Sequence, residues 1–151
     1  MTDDERAMLT TFWEERIPFN AFLGMKVTMM EEGKAEMMVT TRPELVGDAS
    51  RPALHGGLVS ALADAVAGLA VFTTVFKTHT ASTVDIRVDY LRPGAVDENV
   101  HARAKVIRAG RRVASTQVVI YQTDIDAPIA LATAVYNLVS QTKTPRTPSA
   151  S

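Results

Sequence analysis

Residues 56 to 76 make one apolar run with a single carboxylate inside it. The run begins Gly56-Gly57-Leu58-Val59-Ser60-Ala61-Leu62-Ala63-Asp64-Ala65-Val66-Ala67-Gly68-Leu69 and continues in the same manner to Phe76. A helix that is apolar all round is either a membrane span or a helix buried inside a protein. Its length approaches what a bilayer requires. Asp64 near the middle, His55 and Lys77 at the flanks, and many Ala, Gly, Ser and Thr residues argue against a span, because acids are costly at mid-bilayer. The run therefore reads as the buried helix of a soluble domain. An acid inside such a helix is costly unless it has a partner or a task. The glycines at its start leave backbone N–H groups open to a ligand oxygen.

The rest of the chain supplies elements to surround that helix. Residues 4 to 16 read as a short helix, with Ala7, Met8, Thr11, Phe12 and Ile17 at helical spacing and Asp4, Glu5, Glu14 and Glu15 on other faces. Pro18 ends it, and residues 19 to 23 form an apolar lead-in to Gly24. Residues 25 to 31 and 34 to 41 read as a hairpin turning at Glu32-Gly33. Met25, Val27 and Met29 alternate with Lys26, Thr28 and Met30. Ala35, Met37 and Val39 alternate with Lys34, Glu36, Met38 and Thr40. The methionines serve either as flexible core filler or as a face toward a ligand or a second subunit. Residues 42 to 54, carrying Pro43, Gly47, Asp48, Ser50 and Pro52, form a loop that runs into His55 and is placed to wall a site.

Four alternating segments follow the helix. Residues 83 to 91 put Val84, Ile86, Val88 and Tyr90 on one face and Thr83, Asp85, Arg87 and Asp89 on the other, and Arg92-Pro93-Gly94 ends the segment. Residues 98 to 108, 112 to 122 and 128 to 139 complete the set, with turns at Ala109-Gly110 and at residues 124 to 126. Short turns favour antiparallel pairing. One sheet needs one cover for its apolar face, and only residues 56 to 76 are apolar enough. The expected class is α+β: an antiparallel sheet of about six strands wrapped around one long helix.

The 151 residues fit one domain, divided as an N-terminal helix (1–18), a main body (19–140) and a disordered tail rich in Thr, Pro and Ser (141–151). With no cysteine, disulfides, thiolate metal sites and a cysteine nucleophile are excluded, and a cytoplasmic location is expected. A net charge of −1 carries no basic excess for nucleic acid. The acidic N-terminus is not a secretory signal.

Taken together, the helix entered through Leu54-His55-Gly56-Gly57, its acid nine residues after the histidine, and the surrounding strand pattern resemble the hotdog-fold acyl-CoA thioesterases, of the phenylacetate-degradation type. Phe22-Leu23-Gly24, Asp85-Ile86-Arg87-Val88-Asp89-Tyr90-Leu91-Arg92-Pro93 and Arg108-Ala109-Gly110-Arg111 support the resemblance, which runs from about Phe19 to Val139. It implies hydrolysis of an aromatic or medium-chain acyl-CoA. Asp64 would be the general base or nucleophile, the Gly56 N–H would polarise the thioester carbonyl, and Thr83 would hold the water. His55 stands beside them as a catalytic candidate or a structural hydrogen-bonder. Gly57, Arg108, Gly110, Arg111 and Arg112 are the candidates for binding coenzyme A, whose phosphates suit guanidinium groups. No metal or organic cofactor is implied, and neither nucleic acid nor membrane is an expected partner. The resemblance also implies a homodimer, with a dimer of dimers beyond it, and a site shared between two chains. His55 and Asp64 lie about 13.5 Å apart along one helix at 1.5 Å per residue. Two chains meet one carbonyl more readily than one does.

One position departs from the family pattern. Many relatives have Asn or Gln six residues before the histidine, and here that place holds Ala49, with Asp48 and Ser50 as the neighbours able to substitute. This departure favours a rival reading, a non-catalytic acyl-CoA-binding module. A second rival is a hotdog enoyl-CoA hydratase or dehydratase, for which Asp97-x-Asn99-x-His101 is a near miss in spacing. His55, His79 and His101 lack metal-ligand spacing, and the chain has no Gly-x-Ser-x-Gly elbow.

Overall fold

The computed structural model describes residues 1–48, 50 and 52–141. Ala49 and the tail from 142 onward, on which two of the expectations above rest, lie outside the described residues.

The apolar run forms one helix, α3 (Gly56–Val75), which follows α1 (Asp3–Thr11) and α2 (Pro18–Leu23). Six strands surround it: β1 (Met25–Glu31), β2 (Lys34–Val39), β3 (His79–Tyr90), β4 (Val100–Ala109), β5 (Val113–Tyr121) and β6 (Ala130–Ser140). They form one antiparallel sheet in the order β1-β2-β4-β5-β6-β3. This is the hotdog arrangement. Leu62, Val66, Leu69 and Val71 of α3 are fully buried. Each contributes about 1.5–3 kcal/mol by leaving water. The facing side of the sheet is rich in buried alanines (Ala35, Ala102, Ala104, Ala114, Ala132, Ala134). Small side chains let the sheet curve closely around the helix. The helix is apolar and long enough to cross a membrane by composition alone, yet here the sheet takes the place of lipid.

The β1–β2 turn is tied to this helix. Gly33 turns with a positive φ of 72°. Its N–H donates to the Thr73 hydroxyl at 2.8 Å, and that hydroxyl donates to the Ala70 carbonyl at 2.7 Å. On the outer face of the sheet, Glu36 is buried beneath Arg103, which holds it at 2.6 Å.

Three local features differ from strict alternation. A bulge between Val27 and Met29 in β1 shifts the register, so Met30 rather than Met29 is fully buried. A second bulge falls between Val106 and Arg108 in β4. A third, between Thr83 and Asp85 in β3, leaves Val84 unpaired and 66% exposed. Strand β3 also starts at His79, four residues earlier than the apolar alternation indicates, because β6 pairs with it as far as Ser140.

The N-terminal segment is not one helix. A capping box between Thr2 and Glu5 starts α1. Residues Phe12–Arg16 then widen into a π turn, and a new helix begins at Pro18.

Candidate functional site

The carboxylate in α3 is held by two hydroxyls. Thr83 donates to Asp64 Oδ1 at 2.8 Å. The Tyr136 hydroxyl donates between the Asp64 main-chain carbonyl at 3.0 Å and Oδ1 at 3.1 Å. The second carboxylate oxygen has no partner among the described residues. Thr83 and Tyr136 are directly opposed across β3 and β6, which puts their side chains on one face. The β3 bulge makes this happen. Uninterrupted alternation groups Thr83 with Asp85, Arg87 and Asp89 on the outer face. The extra residue Val84 reverses the parity and turns Thr83 inward beside Ile86. Burial first, and the Asp64 charge second, hold the Tyr136 phenol well above its ordinary range. It therefore remains a neutral donor.

Asp64, Thr83 and Tyr136 border a cavity of about 610 Å³. Its other walls are mostly apolar: Phe12, Trp13, Ile17 and Phe19 from the N-terminal segment, and Ala61, Ala65, Gly68 and Phe72 from α3. Ala61 and Ala65 face this cavity. Val66 and Leu69 instead lie fully buried in the core. Trp13 is pinned over α3, its Nε1–H donating to the Ala65 carbonyl at 2.9 Å.

The helix N-terminus opens elsewhere. Gly56 lines a second cavity of about 420 Å³ with Leu54, Val59, Tyr90, Leu91 and Pro93. As the first residue of α3, Gly56 has an N–H without an intrahelical acceptor, and it donates no hydrogen bond among the described residues. His55 caps the helix: its Nδ1 accepts from the Gly57 N–H at 2.8 Å. A Cβ on residue 57 would lie 2.8 Å from that nitrogen, so the cap requires glycine there. Tyr90 reaches back to donate to the Gly56 carbonyl at 2.8 Å, and its hydroxyl meets Ser60 at 2.6 Å.

Arg108, Gly110, Arg111 and Arg112 line a third, smaller cavity of about 300 Å³ at the β4–β5 turn. None of these guanidinium groups pairs with a carboxylate among the described residues. Within one chain, then, the site residues expected from sequence fall into three separate places. His101 lies in none of these cavities. It stacks on Tyr121 with ring centroids 5.3 Å apart, 3.9 Å from Glu36 on the outer face. Among the described residues, no cluster of three His, Asp or Glu side chains is arranged to hold a metal.

Sequence reasoning missed Tyr136, Tyr90 and the N-terminal aromatics. A signal for Tyr136 exists: its inward neighbours in β6 are Ala130, Ala132, Ala134 and Leu138. A lone tyrosine on an alanine-lined inner face needs a partner for its hydroxyl.

A sequence model described as the Thioesterase superfamily matches residues 52–129, and the chain belongs to that superfamily. It is a thioester hydrolase. The medium/long-chain acyl-CoA thioesterase YigI of Escherichia coli (strain K12) is 35% identical over 133 residues, covering 80% of this chain and 84% of its own length. Among solved structures, a variant of the phenylacetic acid degradation protein PaaI from Thermus thermophilus is 31% identical with a TM-score of 0.71, covering 80% of this chain and 97% of its own. A thioesterase family protein from Silicibacter pomeroyi shares the fold with a TM-score of 0.78 at 24% identity, covering 89% and 98%.

Proposed function

We propose that the protein hydrolyses medium-chain acyl-CoA thioesters, with aromatic acyl groups as the second substrate class. The observation that carries this reading is a carboxylate held on one oxygen by two hydroxyls at the wall of a large apolar cavity. The relative YigI, named for medium and long acyl chains, supports the aliphatic class. The likeness to PaaI is the reason to keep the aromatic one.

In this reading the acyl group lies in the cavity and its carbonyl oxygen accepts from the Gly56 N–H. Water attacks the carbonyl carbon and gives its proton to the free oxygen of Asp64. The oxyanion collapses, the carbon–sulfur bond breaks, and the proton passes to the departing thiolate. The products are the free acid and coenzyme A. Direct attack by Asp64, followed by hydrolysis of the mixed anhydride, yields the same products. Thr83 and Tyr136 hold the carboxylate oriented in either route. Because Asp64 and Gly56 open into different cavities of one chain, the complete site takes Asp64 from one protomer and Gly56 from its partner. The unpaired guanidinium groups of Arg108, Arg111 and Arg112 are offered to the coenzyme A phosphates. On the same reading the enzyme works in the cytoplasm as a homodimer or a dimer of dimers, with no metal or organic cofactor.

The test is thiol release from a panel of acyl-CoAs by wild type and Asp64→Asn. The chain has no cysteine, so every thiol detected comes from coenzyme A. Turnover that peaks on medium chains and falls at least about 100-fold in the variant is expected, the scale of an acid–base contribution. Tight binding without turnover would instead support the non-catalytic module.

A further inference from the structure

The cavity beside Asp64 has one wall where a side chain is missing. Gly68 lies one turn beyond Asp64 on the same face of α3. Its backbone does not demand glycine, since it does not adopt a positive φ. Nor does crowding demand it. A Cβ built at residue 68 would lie 3.5 Å from Trp13 Cζ2 and 3.7 Å from Tyr136 Cε1, both ordinary contacts. Glycine is less favourable than alanine within a helix. What it provides here is space between the Trp13 and Tyr136 rings. One turn further along, Phe72 closes the groove, its ring edge-on to Trp13 with centroids 5.2 Å apart.

Trp13 is held in place from three sides. Its indole N–H is tied to Ala65, and the Asn20 side chain donates to its main-chain carbonyl at 3.0 Å. Phe72 packs against its ring. The π turn at Phe12–Arg16 begins at the residues that face the cavity, Phe12 and Trp13. The groove from Asp64 past Gly68 to Phe72 spans two helical turns, about 12 Å.

We propose that Gly68 and Trp13 together set the length of acyl chain the enzyme accepts. The inference rests on the thioesterase reading above and deepens it. Gly68 opens the passage for the chain beyond the carboxylate, and the fixed indole of Trp13 forms its roof. A side chain at 68 shortens the passage. Loss of the indole widens it.

The experiment measures kcat/KM for acyl-CoAs from four to sixteen carbons in wild type, Gly68→Ala, Gly68→Val and Trp13→Ala. Gly68→Val is expected to lower the ratio of dodecanoyl to hexanoyl turnover by about ten-fold or more, the scale on which one methylene matters in an apolar pocket. Gly68→Ala, which places only a Cβ at contact distance, moves the ratio the same way by less. Trp13→Ala moves it toward longer chains, and Trp13→Phe serves in its place if the alanine variant does not fold. Parallel profiles in all variants, scaled but unshifted, would overturn the inference while leaving the thioesterase reading intact. Absence of thiol release by wild type at every chain length would remove that reading, and the inference with it.

Discussion

At the residue scale, the pairing of Asp64 with Tyr136 carries the sharpest consequences. Tyr136→Phe removes one of two donors to Oδ1 and leaves the ring in place. If Asp64 acts as proposed, kcat falls about ten-fold with KM little changed, which corresponds to about 1.4 kcal/mol of transition-state stabilisation. Stability gives an independent readout. An unfolded tyrosine ionises near pH 10, whereas Tyr136 in the fold, its pKa raised by burial and then by Asp64, stays protonated. Its contribution to stability is therefore complete below about pH 10 and declines as pH rises toward the folded value, by about 1.4 kcal/mol per pH unit. The phenylalanine variant lacks this term. Urea titrations at pH 8 and pH 11 should show wild type losing more stability than Tyr136→Phe between the two. An equal loss in both proteins would place the tyrosine in ordinary solvent-like surroundings.

At the element scale, the decisive feature is the single extra residue in β3. Residue types in this strand announce an alternation that places Thr83 among outward charges. Only the bulge at Val84 brings it to Asp64. Deleting Val84 sets Thr83 directly beside Asp85, so Thr83 stays opposite Tyr136 on the inner face while Asp85–Tyr90 keep their pairing with β6. Activity in the deletion variant should then stay near that of wild type, whereas Thr83→Ala should lower it about ten-fold with or without the deletion, the scale of one lost hydrogen bond to a charged group. An unchanged far-UV circular dichroism spectrum would certify the strand. Full activity in Thr83→Ala would mean that Thr83 is not part of the site. The alternation was readable in the sequence. The bulge was not, because no proline or glycine marks it and Val84 continues the apolar pattern.

At the scale of the whole molecule, two facts point beyond one chain. Strand β3 is twelve residues long, forms one edge of the sheet and is mostly exposed. Long open edges template pairing with other chains. Gly56, the proposed oxyanion donor, and the Asp64 carboxylate also open into different cavities. Light scattering at micromolar concentration should give a dimer or its multiple, and a monomer would count against the two-chain site. A mixing test is sharper. Gly56→Pro removes the N–H donor at the first helical position, where proline is otherwise tolerated. Asp64→Asn and Gly56→Pro should each be inactive alone. Mixed dimers formed from both should regain part of the wild-type rate, because one of their two sites holds Asp64 and Gly56 intact. No recovery on mixing would mean that both groups act from one chain.

Local chemistry was enough to determine the buried helix, its glycine entry, the hairpin turning at Gly33 and the class of sheet that must enclose them. These follow from periodicity, from backbone freedom and from the cost of exposing apolar surface, all of which act over a few residues. Tertiary structure alone decided which face Thr83 takes, that Tyr136 reaches Asp64 across 72 positions, and that the N-terminal segment breaks at Phe12 to wall the cavity with Trp13. Each of these depends on strand register or on packing between distant segments. Such contacts are set by the closing of the sheet around α3 and leave little mark on neighbouring residues. The separation of Gly56 from Asp64 along one helix was legible in their spacing, but the cavities that receive them are shaped by strands far away in the chain.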